Sequence, residues 1–258
     1  MGLTYQSTGK LANREAFDVP VSANEPVIAL AGNPNTGKST VFNALTGLRQ
    51  HTGNWPGKTV LQTKGLFMHE GQQYTLVDLP GTYSLLANSV DEQVARDFIC
   101  FAKPDATVVV VDATCLERNL NLVLQVMEIT EKVVLCVNLI DEAKRRKLNI
   151  DTSALTRALG IPVVATAARS KEGLPQLLET TANVVWEKLK PRPNLVQYIP
   201  EVETAVSLLE PIVKALLGNE INPRWISLRL LDGYTTLIKA LEKFYGQQKI
   251  ESVREVFA

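Results

Sequence analysis

Residues 32–39 read GNPNTGKS and fit the phosphate-binding pattern G-x-x-x-x-G-K-[ST]. Glycines allow consecutive backbone N–H groups to turn toward phosphate oxygens, and Lys38 supplies a positive charge for the β- and γ-phosphates. The hydroxyl of Ser39 is a ligand for Mg²⁺, and a helix beginning here would direct the positive end of its dipole at the same place. The alternative is an ordinary turn with a solvated lysine. The apolar run VIALA directly before the loop favours the phosphate site.

A second motif, DLPG at residues 78–81, ends a β-rich run about 40 residues after the lysine. An aspartate at the end of a strand beside a phosphate loop holds Mg²⁺, usually through water, and we assign this role to Asp78. The backbone N–H of Gly81 can reach a γ-phosphate. The motif is weak by itself, but its order after the phosphate loop makes it informative.

A third motif, NLID, places Asn138 and Asp141 at the end of another strand-like run. Asp141 would accept hydrogen bonds from guanine N1–H and N2–H₂, a pair of donors that adenine lacks. Asn138 would brace the base and its neighbouring loops. Residues 165–168 read ATAA, and a backbone N–H there is expected to meet guanine O6. Together these motifs predict selection of GTP over ATP.

Between the first two motifs lies GNWPGKTV, which contains a candidate switch threonine, Thr59. Such a threonine can ligate Mg²⁺ and sense the γ-phosphate. The alternative is an ordinary threonine that favours the start of a strand. The surrounding glycines, asparagine, tryptophan and proline favour the switch role.

The elements that must position these loops alternate along the chain from residue 26. Short apolar runs without polar alternation predict strands buried on both faces, and helical periods lie between them. This pattern predicts an α/β fold with an open, mainly parallel sheet covered by helices on both faces. Together with the nucleotide motifs, it predicts a P-loop GTPase. An antiparallel pair near residues 60–77 would form an edge.

Proline residues at 191, 193 and 200 mark a change of pattern, beyond which the periodicity is helical only. We therefore predict a polar N-terminal extension over residues 1–25, a G domain over 26–190 and a small all-helical domain over 191–258. No periodic pattern is visible in the extension.

The composition excludes several classes of protein. Lys plus Arg and Asp plus Glu are equal at 27 each, which argues against a broad nucleic-acid-binding face, although a local basic patch is compatible with this balance. The N-terminus has no signal-peptide pattern, and no run approaches the ~18 apolar residues of a membrane span, so we expect a soluble chain. The three cysteines form no C-x-x-C pair and are expected to be buried reduced thiols.

The joint set of motifs resembles the cytosolic N-terminal G domain of the bacterial ferrous-iron transporter FeoB. The residues that carry the resemblance are GNPNTGKSTVFNALTG, GNWPGKTV, DLPGTYSL, SVDEQVARDFI, DATCLERNLNLVLQ and NLIDEAKRR, with PRWISLRLLDG resembling the helical domain that follows. The match extends over roughly residues 26–240. The resemblance implies a Ras-like fold, binding of GTP, GDP and Mg²⁺, and slow GTP hydrolysis at the cytoplasmic face of the bacterial inner membrane.

The same resemblance implies partners and site residues. A membrane-embedded iron-permeation portion would lie downstream of residue 258, and small regulatory protein partners are candidates; the oligomeric state stays open. The implied nucleotide-binding residues are Gly32, Asn33, Pro34, Asn35, Thr36, Gly37, Lys38, Ser39, Thr40, Gly57, Lys58, Thr59, Asp78, Leu79, Pro80, Gly81, Asn138, Leu139, Ile140, Asp141, Ala165, Thr166, Ala167 and Ala168. Catalytic roles are assigned to Asn35, Lys38, Thr59 and Gly81, and Mg²⁺ ligation to Ser39, Thr59 and Asp78, the last through water.

One position agrees with the family and two depart from it. Asn35 corresponds to an asparagine associated with potassium-stimulated hydrolysis, although it also simply favours a turn. Lys58 replaces an apolar residue, and its ammonium either reaches the phosphates in place of potassium or is solvated. Cys115 stands where asparagine is common, and we expect no catalytic consequence.

Catalysis in this chain is expected to be slow. Thr82 occupies the position of the water-orienting glutamine of Ras-like enzymes and is too short for that task. Arg96 is interpreted as a surface ion-pair residue rather than a catalytic arginine. Ser89 and Glu92 fit a capping box at the start of the following helix.

Two other functions compete with the transporter GTPase. One is a soluble GTPase of ribosome or tRNA maturation, which shares the phosphate-loop asparagine but generally carries an RNA-binding or tRNA-modifying module. The other is a nucleotide-gated interaction module whose turnover is incidental. An all-helical second domain and balanced charge favour the transporter.

Overall fold

The computed structural model describes residues 13–19, 25–47, 50–86, 89–218, 221–233, 235–246 and 250. The chain divides into two compact units, and each is described by itself. The first consists of Met1–Met127 and Glu131–Asn194, and the second of Glu128–Thr130 and Leu195–Ala258.

The first unit alternates strands and helices. Its strands are β1 (Val27–Gly32), β2 (Gln50–Asn54), β3 (Leu61–His69), β4 (Gln72–Asp78), β5 (Ala106–Asp112), β6 (Val133–Asn138) and β7 (Val163–Ala165). Its helices are α1 (Lys38–Thr46), α2 (Val90–Asp97), α3 (Leu116–Ile129), α4 (Ile140–Arg145), α5 (Thr152–Leu159) and α6 (Leu174–Val185). A buried π-helical turn, Phe98–Ala102, continues α2.

The strands form one sheet in the order β2-β3-β4-β1-β5-β6-β7. Strands β4, β1, β5, β6 and β7 are parallel, whereas β2, β3 and β4 pair in antiparallel fashion. The predicted mainly parallel sheet with an antiparallel edge is therefore confirmed. Strand β2 was not predicted, because all five of its residues are exposed and its sequence, QHTGN, has no apolar alternation.

The central strands form because their β-branched side chains suit a sheet that is covered on both faces. Every residue of β1 and β6 is buried, and β5 is buried except at Asp112. Helix α1 lies close to β3 because Gly65 has no side chain there: an added Cβ would lie 2.9 Å from the Phe42 ring. Because β1, β4, β6 and β7 run parallel in the sheet, their carboxyl ends lie along one edge. This edge is where ligands bind in open α/β folds.

Two predictions made from local sequence have different outcomes. The start of α2 is confirmed, since the backbone N–H of Glu92 donates a hydrogen bond of 3.2 Å to Ser89 Oγ. The interpretation of Arg96 as a surface residue is wrong: it is 2% exposed, and its guanidinium contacts Asp97 at 2.7 Å. Helical spacing placed it on α2 but could not show that this face of the helix is covered.

The cysteine prediction is correct for Cys100 and Cys136, which are buried free thiols. Burial raises the pKa of Cys136 to about 12. For Cys115 the prediction is wrong, because this thiol is exposed. It follows β5 in a 3₁₀ turn, and its Sγ donates to Asp112 Oδ2 at 3.3 Å.

The second unit contains helices α7 (Pro200–Leu217), α8 (Pro223–Leu231) and α9 (Thr235–Tyr245). Asn222 caps α8, since its side chain accepts hydrogen bonds from the backbone of Arg224 and Trp225. No helix within the described residues is both long enough and apolar enough to cross a membrane.

An ion pair between α7 and α8 belongs to this unit. The guanidinium of Arg224 donates hydrogen bonds of 2.7 and 2.8 Å to the two carboxylate oxygens of Glu203. The backbone N–H of Tyr198 adds a third bond of 2.9 Å. These bonds, with that from Arg224 the strongest influence, lower the pKa of Glu203 from 4.5 to about 2.

The Glu203 pair makes the stability of the helical unit dependent on acid. Because the pKa of Glu203 is lower in the folded chain, the unfolded chain takes up a proton first as the pH falls. The stabilisation is complete above pH 4.5 and is lost as the pH falls to about 2. We expect Glu203→Gln to remove this part of the pH dependence, measured by urea unfolding across that window with hydrogen–deuterium exchange of the backbone amides of α7 and α8.

The control variant is Glu201→Gln, which changes an exposed carboxylate in the first turn of the same helix. It should keep the acid dependence of the original chain. If the free energy of unfolding fell by the same amount with decreasing pH in the original chain and in Glu203→Gln, the prediction would be contradicted.

Candidate functional site

The loop between β1 and α1 forms one wall of a pocket of about 280 Å³. Six of the eight predicted phosphate-loop residues line it, together with Thr40 and with Gly81 from the segment after β4. The lining residues are Asn33, Pro34, Asn35, Gly37, Lys38, Ser39, Thr40 and Gly81. The structure therefore brings the first motif and the end of the second motif together at one cavity.

The loop takes its shape from two residues in the left-handed region. Asn35 has φ 66° and Gly37 has φ 79°, and asparagine and glycine are the residues that adopt this conformation most readily. The hydroxyl of Thr36 donates a 2.9 Å hydrogen bond to the carbonyl of Asn33, which closes the turn. Alternation of left- and right-handed residues points successive N–H groups inward, and such concave arrangements bind anions.

Close packing at Gly32 and Gly37 excludes side chains from both positions. A Cβ on Gly32 would lie 2.6 Å from the carbonyl oxygen of Val110, and one on Gly37 would collide with the Asn138 carboxamide. The two fixed glycines of the motif are thus required by residues at the neighbouring strands.

Lys38 and Asp78 contact each other at the pocket. The ammonium of Lys38 donates one hydrogen bond to Asp78 Oδ1 and a second, of 2.7 Å, to the carbonyl of Leu79. Burial raises the pKa of Asp78, and the positive charge of Lys38 acts in the opposite direction.

The segment after β4 is held against the phosphate loop. Its backbone N–H groups at Leu79 and Thr82 donate to the carbonyls of Leu30 and Gly32, at 3.0 and 3.2 Å. The side chain of Thr82 is 5% exposed, and its hydroxyl donates to the carbonyl of Ser84 at 2.7 Å. The hydroxyl of Thr82, which stands at the position of the Ras-like glutamine, is therefore already hydrogen-bonded within the protein.

Gln125 on α3 holds the next residues of this segment and was not found by sequence reasoning. Its Oε1 accepts a 2.7 Å hydrogen bond from the backbone of Leu85 and one of 3.2 Å from Ser84 Oγ. The residues lie about 40 positions apart, and a single glutamine within a helical period carries no signal of such a contact.

Thr59 lies in a turn formed by residues 55–60, which we call the 55–60 turn. The backbone of Trp55 donates to Val60 at 2.9 Å and accepts from Lys58 at 2.9 Å. Thr59 is exposed and does not line the pocket. Lys58 also lies outside the lining, with its Nζ 3.3 Å from Gln93 Oε1 on α2.

Asn138 connects the phosphate loop to the two loops of the predicted base site. Its Nδ2 donates a 3.0 Å hydrogen bond to the carbonyl of Thr36. Its Oδ1 accepts two hydrogen bonds of 3.1 Å, from Thr166 Oγ1 and from the backbone of Ala168. The side chain is 1% exposed, so these contacts are made away from water.

The remaining residues of the base site lie at the ends of β6 and β7. Asp141 is in the first turn of α4, its side chain is 43% exposed, and Arg145 lies 3.7 Å from its carboxylate. Leu139 has φ 61°, a strained value for leucine, and the turn it makes lets Ile140 donate to the carbonyl of Thr166 at 3.1 Å. The backbone N–H of Ala168 is already bonded to Asn138, so a contact from it to a base would share this donor.

Asn33 gives an independent indication that the pocket takes a polar ligand. Its side chain is 1% exposed, and among the described residues neither its Oδ1 nor its Nδ2 has a hydrogen-bond partner. A buried amide without partners costs about 1–3 kcal/mol, which a polar ligand or a rearranged neighbour would recover.

Comparison with known proteins identifies similar domains. A profile described as "Ferrous iron transport protein B" matches residues 26–181, and one described as "FeoB cytosolic helical domain" matches residues 198–258. Both agree with the resemblance carried by the motifs. The second match accounts for the helical unit, and a ribosome- or tRNA-maturation GTPase is not favoured.

Individual relatives agree with these profiles. The chain is 42% identical over 227 residues to the Fe(2+) transporter FeoB of Methanocaldococcus jannaschii, a match that covers 86% of this chain and 33% of that protein. It therefore spans about a third of the length of this curated relative. The cytosolic domain of the T. maritima FeoB iron transporter in apo form is similar at 35% identity and a TM-score of 0.76, covering 90% of this chain and 97% of that one. Its GDP form I matches at 34% identity and a TM-score of 0.76, covering 92% and 98%.

From the contacts of Asn138 we predict that replacing its side chain will strongly lower the stability of the domain. In Asn138→Ala the carbonyl of Thr36 and the backbone N–H of Ala168 lose their partner at buried positions. We expect the free energy of unfolding to fall by about 3 kcal/mol, measured by urea denaturation without nucleotide.

Thr166→Val is the matched variant, because it removes one of the three hydrogen bonds of Asn138 and keeps the other two. It also removes the 3.2 Å contact between Thr166 Oγ1 and the buried Cys136 Sγ. It should cost about 1 kcal/mol. Equal losses in the two variants would mean that Asn138 does not join the loops in the way its contacts indicate.

Proposed function

The chain belongs to the ferrous iron transport protein B family, and on this premise we propose that it binds GTP, hydrolyses it slowly and thereby regulates ferrous-iron uptake. The observation that supports the proposal most directly is the pocket of about 280 Å³ lined by the phosphate loop and Gly81. Its backbone, lysine and helix N-terminus are complementary to a chain of phosphates. A T. maritima relative carries GDP in a structure of similar fold, which supports a nucleotide as the ligand.

Recognition of the base is assigned to the loops that meet at Asn138. The carboxylate of Asp141 is the acceptor for guanine N1–H and N2–H₂, and its partial exposure leaves it accessible to a ligand. Residues 165–168 form the other side of the base site. Asn138 acts indirectly, because it fixes both loops relative to residue Thr36 of the phosphate loop.

The residues near the phosphates fit a magnesium ion. Ser39 supplies a hydroxyl and Asp78 a carboxylate, and hard oxygen ligands are those that Mg²⁺ prefers. We assign ligation to Ser39 and Thr59, and to Asp78 through water. When bound, the ion would neutralise part of the charge on the phosphates.

Slow hydrolysis is expected because two candidate catalytic groups of the described residues are engaged elsewhere. The hydroxyl of Thr82 is bonded to Ser84, and Arg96 is buried against Asp97. Lys38 and inward-facing backbone N–H groups remain to stabilise the charge of the transferred phosphoryl group. A potassium ion held with the help of Asn35, which is exposed at the pocket, would supply further stabilisation.

Nucleotide state would be transmitted through Thr59 and Gly81. Both are proposed to contact the γ-phosphate, so its loss releases the 55–60 turn and the segment after β4 together. Helix α2 and the helical unit are the proposed receivers. A membrane portion downstream of residue 258 would carry the iron, which places this domain at the cytoplasmic face of the inner membrane, where small regulatory proteins are candidate partners.

Base selection is tested by Asp141→Asn. We expect GTP affinity to fall by about 100-fold, because two hydrogen bonds to a charged acceptor are lost. Affinity for xanthosine triphosphate should rise, since an amide can donate to the oxygen that xanthine carries at position 2. Equilibrium titration with both nucleotides and ATP measures the change.

Glu142→Gln serves as the control, since this neighbouring carboxylate contacts Arg145 and Arg146 on its own helix. It should leave GTP affinity unchanged. Binding of ATP as tightly as GTP by the unaltered chain would overturn the assignment of the base site.

The role of potassium is tested by GTP turnover in potassium and in sodium buffer. We expect turnover to be about tenfold faster in potassium and the difference to disappear in Asn35→Ala. Lys58→Val should keep the stimulation, because Lys58 contacts Gln93 rather than the pocket. Stimulation that appears only in Lys58→Val would show instead that the lysine replaces the ion.

A further inference from the structure

Residues 13–19, which we call the N-terminal segment, pack against the rest of the first unit, although the sequence predicted only a polar extension. The segment forms a compact turn in which the backbone N–H groups of Phe17 and Val19 donate to the carbonyl of Arg14, at 3.0 and 3.2 Å. Phe17 and Val19 are buried, at 8% and 2% exposure. The amide of Gln62 on β3 donates a 2.9 Å hydrogen bond to the carbonyl of Phe17.

Arg14 holds the start of the segment at the end of the π-helical turn. Its guanidinium donates to the carbonyls of Ala102 and Lys103, at 3.1 and 2.9 Å, and pairs with Asp105 at 2.8 Å. Asp105 Oδ2 also accepts from the backbone of Val27 at 2.8 Å, at the start of β1. A buried arginine with these partners shows a built contact rather than a loose association.

Phe17 belongs to a cluster of three aromatic rings with Trp55 and Phe98. The ring of Phe17 lies 6.3 Å from Trp55 and 5.5 Å from Phe98, and Trp55 lies 5.4 Å from Phe98. All three pairs meet edge to face, with interplanar angles from 70° to 83°, which is a favourable geometry for aromatic rings. The cluster joins the N-terminal segment to the 55–60 turn and to the residue directly after α2.

Trp55 determines where the 55–60 turn lies. It is 2% exposed, whereas the four residues that follow it are exposed. The turn closes on Trp55 through both of its backbone hydrogen bonds, with Val60 and Lys58. Thr59 therefore cannot move to the pocket without shifting Trp55 within its ring cluster or opening the turn.

We propose that Phe17 is a positioning residue for Thr59, holding the 55–60 turn in the arrangement in which Thr59 lies outside the nucleotide pocket. The proposal rests on the proposed function of Thr59 as a contact to the γ-phosphate. Binding of a triphosphate then has to displace the turn against the ring cluster, whereas GDP has no γ-phosphate and leaves the turn in place. The N-terminal segment thus lowers the preference of the domain for the triphosphate state.

The experiment compares Phe17→Ala with the unaltered 258-residue chain in two measurements. Hydrogen–deuterium exchange without nucleotide follows the backbone amides of residues 55–60. Equilibrium titration in Mg²⁺ gives the Kd for GMPPNP and for GDP. We expect faster exchange in the turn, GMPPNP affinity about fivefold tighter, and GDP affinity unchanged.

Two further variants separate positioning from a general loss of structure. Phe17→Leu keeps most of the apolar volume but loses the ring contacts, and should give intermediate values with a thermal transition close to that of the original chain. Asp18→Asn removes an exposed ion pair with Lys64 from the same segment, and asparagine tolerates its φ of 52°. It should change neither exchange in the turn nor the ratio of the two Kd values.

The possible results distinguish this proposal from the proposed function. An unchanged ratio of the GMPPNP and GDP affinities in folded Phe17→Leu and Phe17→Ala would overturn the positioning role, as would weaker GMPPNP binding. If the original chain bound neither nucleotide, the proposed function would fail. In that case hydrogen–deuterium exchange of residues 55–60 would still show whether Phe17 restrains the turn. Equal exchange rates in all variants would mean that Phe17 does not restrain it.

Discussion

The carboxamide of Asn138 is the contact on which the candidate site depends. It ends β6 and bonds the phosphate loop through Thr36, the end of β7 through Thr166, and the following loop through Ala168. An amide can do this because it presents donors and acceptors in one plane. The absence of a side chain at Gly37 is what lets the carboxamide approach the phosphate loop. The loops that we propose to bind the phosphates and the base are thereby held in one geometry.

The two parts of the proposed switch are held by different groups. The segment after β4 is fixed by backbone hydrogen bonds to β1 and the phosphate loop, and by Gln125 from α3. The 55–60 turn is fixed mainly by the burial of Trp55 between two other rings. In the proposed switch, the hydrogen bonds at the pocket edge would respond to the phosphates. The aromatic cluster would respond also to contacts made by the N-terminal segment.

Much of the first unit could be predicted because its signals are local. Continuous β-branched runs such as β5 predict buried strands, and each nucleotide motif follows such a run or a turn. Strand β2 was missed because an exposed edge strand forms through backbone hydrogen bonds to its neighbour, here β3. It does not require an alternating pattern of apolar residues in its own sequence. Arg96 and Cys115 were misplaced because exposure depends on what covers a residue, and the cover comes from distant parts of the chain.

By itself the sequence determined the α/β class, the family and the identity of the residues that line the pocket, because these depend on residue types at fixed spacing. Only the tertiary structure decided which of these residues meet. It brings Lys38 to Asp78 and leaves Thr59 exposed outside the pocket. It also packs Phe17 against Trp55, although the sequence around Phe17 has no periodic pattern of apolar residues. The physical reason is that such contacts depend on complementary surfaces of segments far apart in the chain, and local patterns of hydrophobicity carry no information about that pairing.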